Sequence, residues 1–105
     1  MTFNRSPLES NFQDKVIKYI KTTYKRDAWF LNVCGSASQR SGIPDIICVI
    51  NGKFIGVELK REDGSGRPSE QQLIECKKIN RAGGHAIVSD SFEEVKKFIE
   101  EVANN

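Results

Sequence analysis

Apolar residues recur along this chain with two different spacings. Phe12, Val16, Tyr19, Ile20 and Thr23 fall three and four apart, the interval that places side chains on one face of an α-helix. Ser6-Pro7-Leu8-Glu9 supplies the start of that helix, with Ser6 as N-cap, Pro7 at the first helical position and Glu9 at the capping-box position. The pattern predicts a helix to about Tyr24. Residues 28–33 then read as a short strand of aromatic and aliphatic side chains. Ile43 to Ile50 reads as a second strand and Lys53 to Lys60 as a third, joined by Asn51-Gly52, the strongest short-range signal for a two-residue hairpin turn. Cys34 to Gly42 and Glu62 to Pro68 are polar loops. Ser69 caps a helix that runs to about Ala82 and stops at Gly83-Gly84. His85 to Ser89 is a fourth strand, and Ser91-x-x-Glu94 opens a last helix with Phe92, Val95, Phe98, Ile99 and Val102 facing inward.

The two-residue turn sets the hairpin register. Ile50 faces Lys53, Val49 faces Phe54, and further along Asp45 faces Glu58. Alternation puts Ile46, Cys48, Ile50, Ile55, Val57 and Leu59 on one face, and Ile47, Val49 and Phe54 on the other. Strands apolar on both faces belong to a sheet covered on both. The expected fold is a central mixed sheet flanked by helices, with strands three and four parallel and joined by a right-handed helical crossover.

Composition narrows the functional classes. The chain has 105 residues, 38% hydrophobic and 29% charged, as expected of one ordinary globular domain spanning 1–105. A net charge of +2 permits nucleic-acid binding without demanding it, so any basic surface must be local. No apolar run reaches the length of a membrane span, and the first residues lack the apolar stretch of a signal peptide. Cys34, Cys48 and Cys76 are widely spaced, follow no zinc pattern and suit a reducing cytosol, so we expect a cytoplasmic protein with three small core cysteines.

The chemistry concentrates on the hairpin. Asp45, Glu58 and Lys60 leave the same face of the sheet, beside Ile47, Val49 and Phe54. Two directly opposed carboxylates repel one another. A divalent cation between them removes that penalty, and Mg²⁺ typically binds one or two carboxylates together with substrate phosphates. The competing reading is an ordinary salt bridge at the sheet end. Glu9 lines up with Phe12, Val16 and Ile20, and Gln72 with Cys76 and Ile79; a capping role accounts for each as well as a site role does. Ser36, Ser38, Gln39, Arg40 and Ser41 form a loop leading into the Asp45 strand, with side chains suited to phosphate oxygens, and Arg61 and Arg67 flank the second loop. Lys15, Lys18, Lys21, Lys25 and Arg26 read as the solvent face of the first helix. His85 is the sole histidine, which excludes chemistry built on paired histidines.

These residues resemble the PD-(D/E)xK nuclease superfamily. Pro44-Asp45 matches the first half of its motif and Glu58-Leu59-Lys60 the second. Within it the chain looks most like a stand-alone VRR-NUC domain of phages and bacteria. The likeness covers the early helix with Glu9, the loop ending Ser41-Gly42-Ile43-Pro44-Asp45, the Val57-to-Lys60 stretch, Gly66-x-x-Ser69-x-x-Gln72 and Gly83-Gly84. It implies a restriction-endonuclease-like αβββαβ core with a C-terminal helix. It also implies a metal-dependent phosphodiesterase acting on DNA. Asp45 and Glu58 would hold Mg²⁺ or Mn²⁺, with the Leu59 carbonyl completing the shell and Glu9 near the metal directly or through water. Lys60 would orient or help deprotonate the attacking water. Gln72, or the adjacent Gln71, would position the water or Lys60. The leading expectation is a structure-selective endodeoxyribonuclease, a homodimeric Holliday-junction resolvase. A nicking or flap nuclease with the same site and a catalytically silent DNA-binding module are the alternatives.

Overall fold

The computed structural model describes the backbone of residues 7–33 and 41–105, and the side chains from Asn11 onward within that span. Its elements are α1 (Pro7–Tyr24), a short 3-10 turn (Lys25–Asp27), β1 (Ala28–Asn32), β2 (Ile46–Ile50), β3 (Lys53–Leu59), α2 (Glu70–Arg81), β4 (His85–Ser89) and α3 (Phe92–Ala103). The four strands form one sheet in the order β1-β2-β3-β4. The first two pairings are antiparallel and the third is parallel, so β3-α2-β4 is the crossover unit. The result is a mixed four-stranded α/β sheet flanked by helices.

The hairpin turn does what its residues dictate. Asn51 and Gly52 both have positive φ, +50° and +81°, as a type I′ turn requires. Ile50 pairs with Lys53, Val49 with Phe54 and Ile46 with Val57. That register sends Ile46, Cys48, Ile50, Ile55, Val57 and Leu59 to one face, where all are fully buried. Phe12, Val16 and Ile20 of α1 and Val95, Ile99 and Val102 of α3 join them in a single core. Ser91 caps α3 by accepting from the Glu94 amide, and Ser69 caps α2 by accepting from Gln72.

Helices lie on both faces of the sheet as expected, while the start of the second strand and the inward place of Thr23 are corrected and the cover on one face is incomplete. The second strand begins at Ile46 rather than Ile43. Gly42 has φ +85° and Pro44 carries no N–H, so the chain bends through this stretch, and the buried Pro44 lodges against Gly56 of β3. Asp45 is thus the last residue of the bend, tied to the sheet through its carbonyl, which accepts from the Val33 amide at 2.7 Å. The far face of the sheet is covered only in part. Among the described residues one helix, α2, serves that face and lies over β3 and β4, the strands it connects. Beyond it Trp29 (58% exposed), Leu31 (49%) and Val49 (38%) face outward. Thr23 is exposed, because α1 ends there and Tyr24 takes the inward place, its ring edge-on to Tyr19 at 6.0 Å.

Gly42 and Gly52 separate backbone strain from crowding. A Cβ on Gly52 would meet nothing within 4 Å, whereas one on Gly42 would lie 2.6 Å from the Gln71 carbonyl oxygen of α2. Gly52→Ala is expected to cost about 1 kcal/mol and Gly42→Ala at least about 2–3 kcal/mol. Denaturant midpoints measure both; equal losses would mean that the bend before Asp45 does not press on α2.

Candidate active site

The sheet end where β2 starts and β3 finishes brings four of the expected residues together. Continuing the pairing of Ile46 with Val57 by one position sets Asp45 opposite Glu58. The Asp45 carboxylate accepts from the Leu59 amide at 2.9 Å, which fixes it against the end of β3. Glu58 is 6% exposed. Its Oε2 accepts from Gln72 Nε2 at 2.8 Å and lies 3.6 Å from Lys60 Nζ. Its Oε1 is buried and has no hydrogen-bond partner. An ionised carboxylate half-satisfied in this way is costly. Burial, and then the charge of Asp45, push the Glu58 carboxyl up to about 8; Lys60 acts in the opposite direction. Lys60 stands one residue past β3, anchored by its amide on the Ser89 carbonyl at 2.8 Å, with its side chain mostly buried.

Gln72 answers both readings of its position. Its Oε1 accepts from the Ser69 amide at 2.8 Å, completing the capping box, while its Nε2 reaches Glu58. The helix cap aims the amide at the carboxylate. Gln71 points elsewhere, donating to Glu75 at 3.2 Å. In this structure Gln72 touches a carboxylate, and no bond joins it to Lys60 among those seen.

The remaining expected residues are less central or lie outside the described residues. Ser36, Ser38, Gln39 and Arg40 fall outside them, as do Cys34 and the side chain of Glu9. Ser41 is exposed at the turn before Gly42. Arg61 and Arg67 lie on the loop after Lys60 and are bonded within it, Arg61 to Ser65 at 3.4 Å and Arg67 to the carbonyls of Gly64 and Gly66. His85 begins β4 at the far end, opposite Ile55. Cys48 is a core thiol raised to about 12 by burial. Cys76 is half-buried and raised by burial and by the charge of Glu58.

Two buried polar residues carry no periodic signal strong enough to single them out. Gln13, beside Phe12 on α1, donates to Asn32 and reaches the Asp45 carbonyl at 3.5 Å. Glu75 is 3% exposed on α2 and also lies 3.8 Å from Lys78. Its spacing, three residues after Gln72 and four after Gln71, is the one clue that places it on the same helix face.

Among the described residues no three His, Cys, Asp or Glu side chains converge. Among the described residues the acidic side chains brought together at this sheet end are Asp45 and Glu58. That pair fits a hard divalent ion of the Mg²⁺ type, which keeps several waters and takes one or two carboxylates. The partnerless Glu58 Oε1 is an oxygen in want of a positive charge.

Comparison with known proteins agrees with this architecture. No family model matches the chain, and no curated protein does. Among solved structures, one described as "VRR_NUC domain" is 30% identical, covering 85% of this chain and 95% of that one, with a TM-score of 0.62. Another, "VRR_NUC domain protein", is 18% identical, covering 96% and 92%, and at a TM-score of 0.76 it shares the fold.

The raised Glu58 carboxyl makes stability depend on pH when no metal is added. A carboxyl whose folded pKa lies above the unfolded value of 4.5 contributes stability that is complete below 4.5 and lost as pH rises through about 8. In EDTA the wild-type Tm is expected to fall across that window, and Glu58→Gln to flatten the fall. Parallel Tm profiles for the two proteins would remove Glu58 as the titrating group.

Proposed function

The chain belongs to the VRR-NUC domain family and is a nuclease-type domain, and on that footing we propose that it is a metal-dependent endodeoxyribonuclease. The observation that carries this reading is the Glu58 carboxylate, buried opposite Asp45, one oxygen held by Gln72 and facing Lys60, the other without a partner. Burying two opposed carboxylates costs stability when both are ionised, and a cation between them would offset that cost.

Asp45 and Glu58 are the proposed ligands of Mg²⁺ or Mn²⁺, with the Leu59 carbonyl and Glu9 as further donors. The bound cation supplies Lewis acidity at the phosphate and neutralises the opposed carboxylates. The chain's own residues do the rest. The Leu59 amide and Gln72 hold the two carboxylates in place. Lys60 sits where it can orient a water for in-line attack, help take its proton, and offset the charge that gathers on the phosphoryl oxygens as the bond to the leaving sugar oxygen breaks. Arg61 and Arg67, together with Ser36, Ser38, Gln39, Arg40 and Ser41, are the proposed contacts to flanking phosphates.

For the substrate we propose branched DNA, a four-way junction, cut by a homodimer. The outward apolar strip of Trp29, Leu31 and Val49 is surface that a second copy can cover.

The test is cleavage with Mg²⁺ or Mn²⁺ of a synthetic four-way junction, a flap, a linear duplex and a single strand. Asp45→Asn, Glu58→Gln and Lys60→Ala are each expected to lower the rate at least about 100-fold with the circular dichroism spectrum unchanged. Paired symmetric cuts in the junction support the resolvase reading. Cutting of the flap or plain duplex alone replaces it with another nuclease specificity. No cutting of any substrate by the wild type overturns the catalytic reading.

A further inference from the structure

A cavity of about 330 Å³ opens beside Lys60, on the side away from Asp45. Its walls include Lys60, Arg67, Pro68, Leu73, Val88 and Asp90. Its place follows from sheet register. Asp45 stands opposite Glu58 across β2 and β3, and Glu58 pairs with Val88 across β3 and β4. Directly opposed residues share a face, so the line Asp45–Glu58 runs on to Val88 and into the cavity. Lys60 belongs to both places: its ammonium lies 3.6 Å from Glu58 and its side chain forms a wall of the cavity. A phosphate held at the carboxylates therefore has its neighbouring nucleotide at the cavity mouth.

The lining is that of a base site rather than a second phosphate site. Pro68, Leu73 and Val88 present an apolar wall, and Leu73 leaves 45% of its surface uncovered on α2. Asp90 also lines the cavity, its carboxylate near Gly64 of the loop that carries Arg67, and its side chain makes no hydrogen bond or ion pair among the described residues. A carboxylate repels phosphate but accepts from an exocyclic amine. Arg67 spends one nitrogen on the Gly64 and Gly66 carbonyls, which leaves the other guanidinium donors for the adjoining backbone. Glu94 also touches the cavity, but it is already engaged by the Ser89 hydroxyl. The volume falls at the lower end of the range for small-molecule pockets, roughly 300–1,000 Å³.

We propose that this cavity is a subsite for one unstacked nucleobase, that of the nucleotide next to the scissile phosphate on the Lys60 side. Asp90 accepts from the amine of cytosine, adenine or guanine. Thymine, which has no such amine, is disfavoured. This rests on the nuclease reading.

The experiment begins from any substrate the wild type cuts with Mn²⁺, with the nucleotides on each side of the cut replaced in turn by an abasic residue and by each base. On one side the abasic residue is expected to lower kcat/KM about 10-fold, what withdrawing roughly 50 Å² of apolar surface from water is worth. Thymine there should be cut about 3- to 10-fold more slowly than cytosine, the effect of one missing hydrogen bond. Leu73→Trp, which fills the cavity, should abolish both differences, and Asp90→Asn only the second. Equal rates for every replacement, or discrimination that survives in a folded Leu73→Trp, overturn the subsite while leaving the nuclease intact. Absence of any wild-type cutting counts against the nuclease reading instead. The subsite is then judged by binding alone in EDTA, with single strands carrying 2-aminopurine. Brighter fluorescence on binding that disappears in Leu73→Trp supports it; the same signal in both proteins, or no change in either, overturns it.

Discussion

The register of the β2–β3 hairpin is the constraint on which the remainder of the molecule depends. Positive φ at Asn51 and Gly52 closes the turn in two residues, and every pair along the ladder follows. Side chains alternate with a period of two, so a slip of one residue would exchange the faces of a whole strand. Glu58 would then enter the core occupied by Val57 and Leu59, and those two would face the site. Since Val57 and Leu59 are fully buried against α1 and α3, core packing enforces the same register as the turn. The hydrophobic effect thus holds two carboxyl groups opposite one another, against the repulsion that arises when both ionise.

That repulsion is moderated by the second face of the sheet. Lys60 and Gln72 both address Glu58 Oε2, one from the strand's own end and one from the helix that follows it. The Leu59 amide does the equivalent for Asp45. The Gly42 bend leans on the backbone of Gln71, so α2 braces Asp45's approach as well as Glu58's side chain. The site is a junction of three chain segments, each with little freedom to relax the pair apart.

The elements with strong local signals were legible in the sequence. The Asn51-Gly52 turn, the Ser69 and Ser91 caps and the inward faces of α1 and α3 appear where their residues place them, and so does the juxtaposition of Asp45 with Glu58. What escaped reading depends on contacts distant in sequence. The bend at Gly42 to Asp45 looks like strand until α2 is known to press on it. Periodicity reported that the far face is apolar, but the number of helices available to cover it is a matter of topology, and Trp29 and Leu31 remain outside. Gln13 and Glu75 are buried polar groups whose partners lie on other elements or a turn away. Gln72 was ambiguous because one amide both completes the helix cap and reaches the Glu58 carboxylate.

That shared amide has a thermodynamic consequence. The first turn of α2 and the Glu58 carboxylate are joined through a single planar group, so whatever changes one must act on the other by the same free energy. An ion held between Glu58 and Asp45 would pull on the cap, and fraying of the cap would loosen Glu58. Leu73, the next residue, lies in the wall of the cavity beside Lys60, within the same first turn. Whatever came to rest at the carboxylates would therefore also bear on the order of that turn, because both depend on one amide.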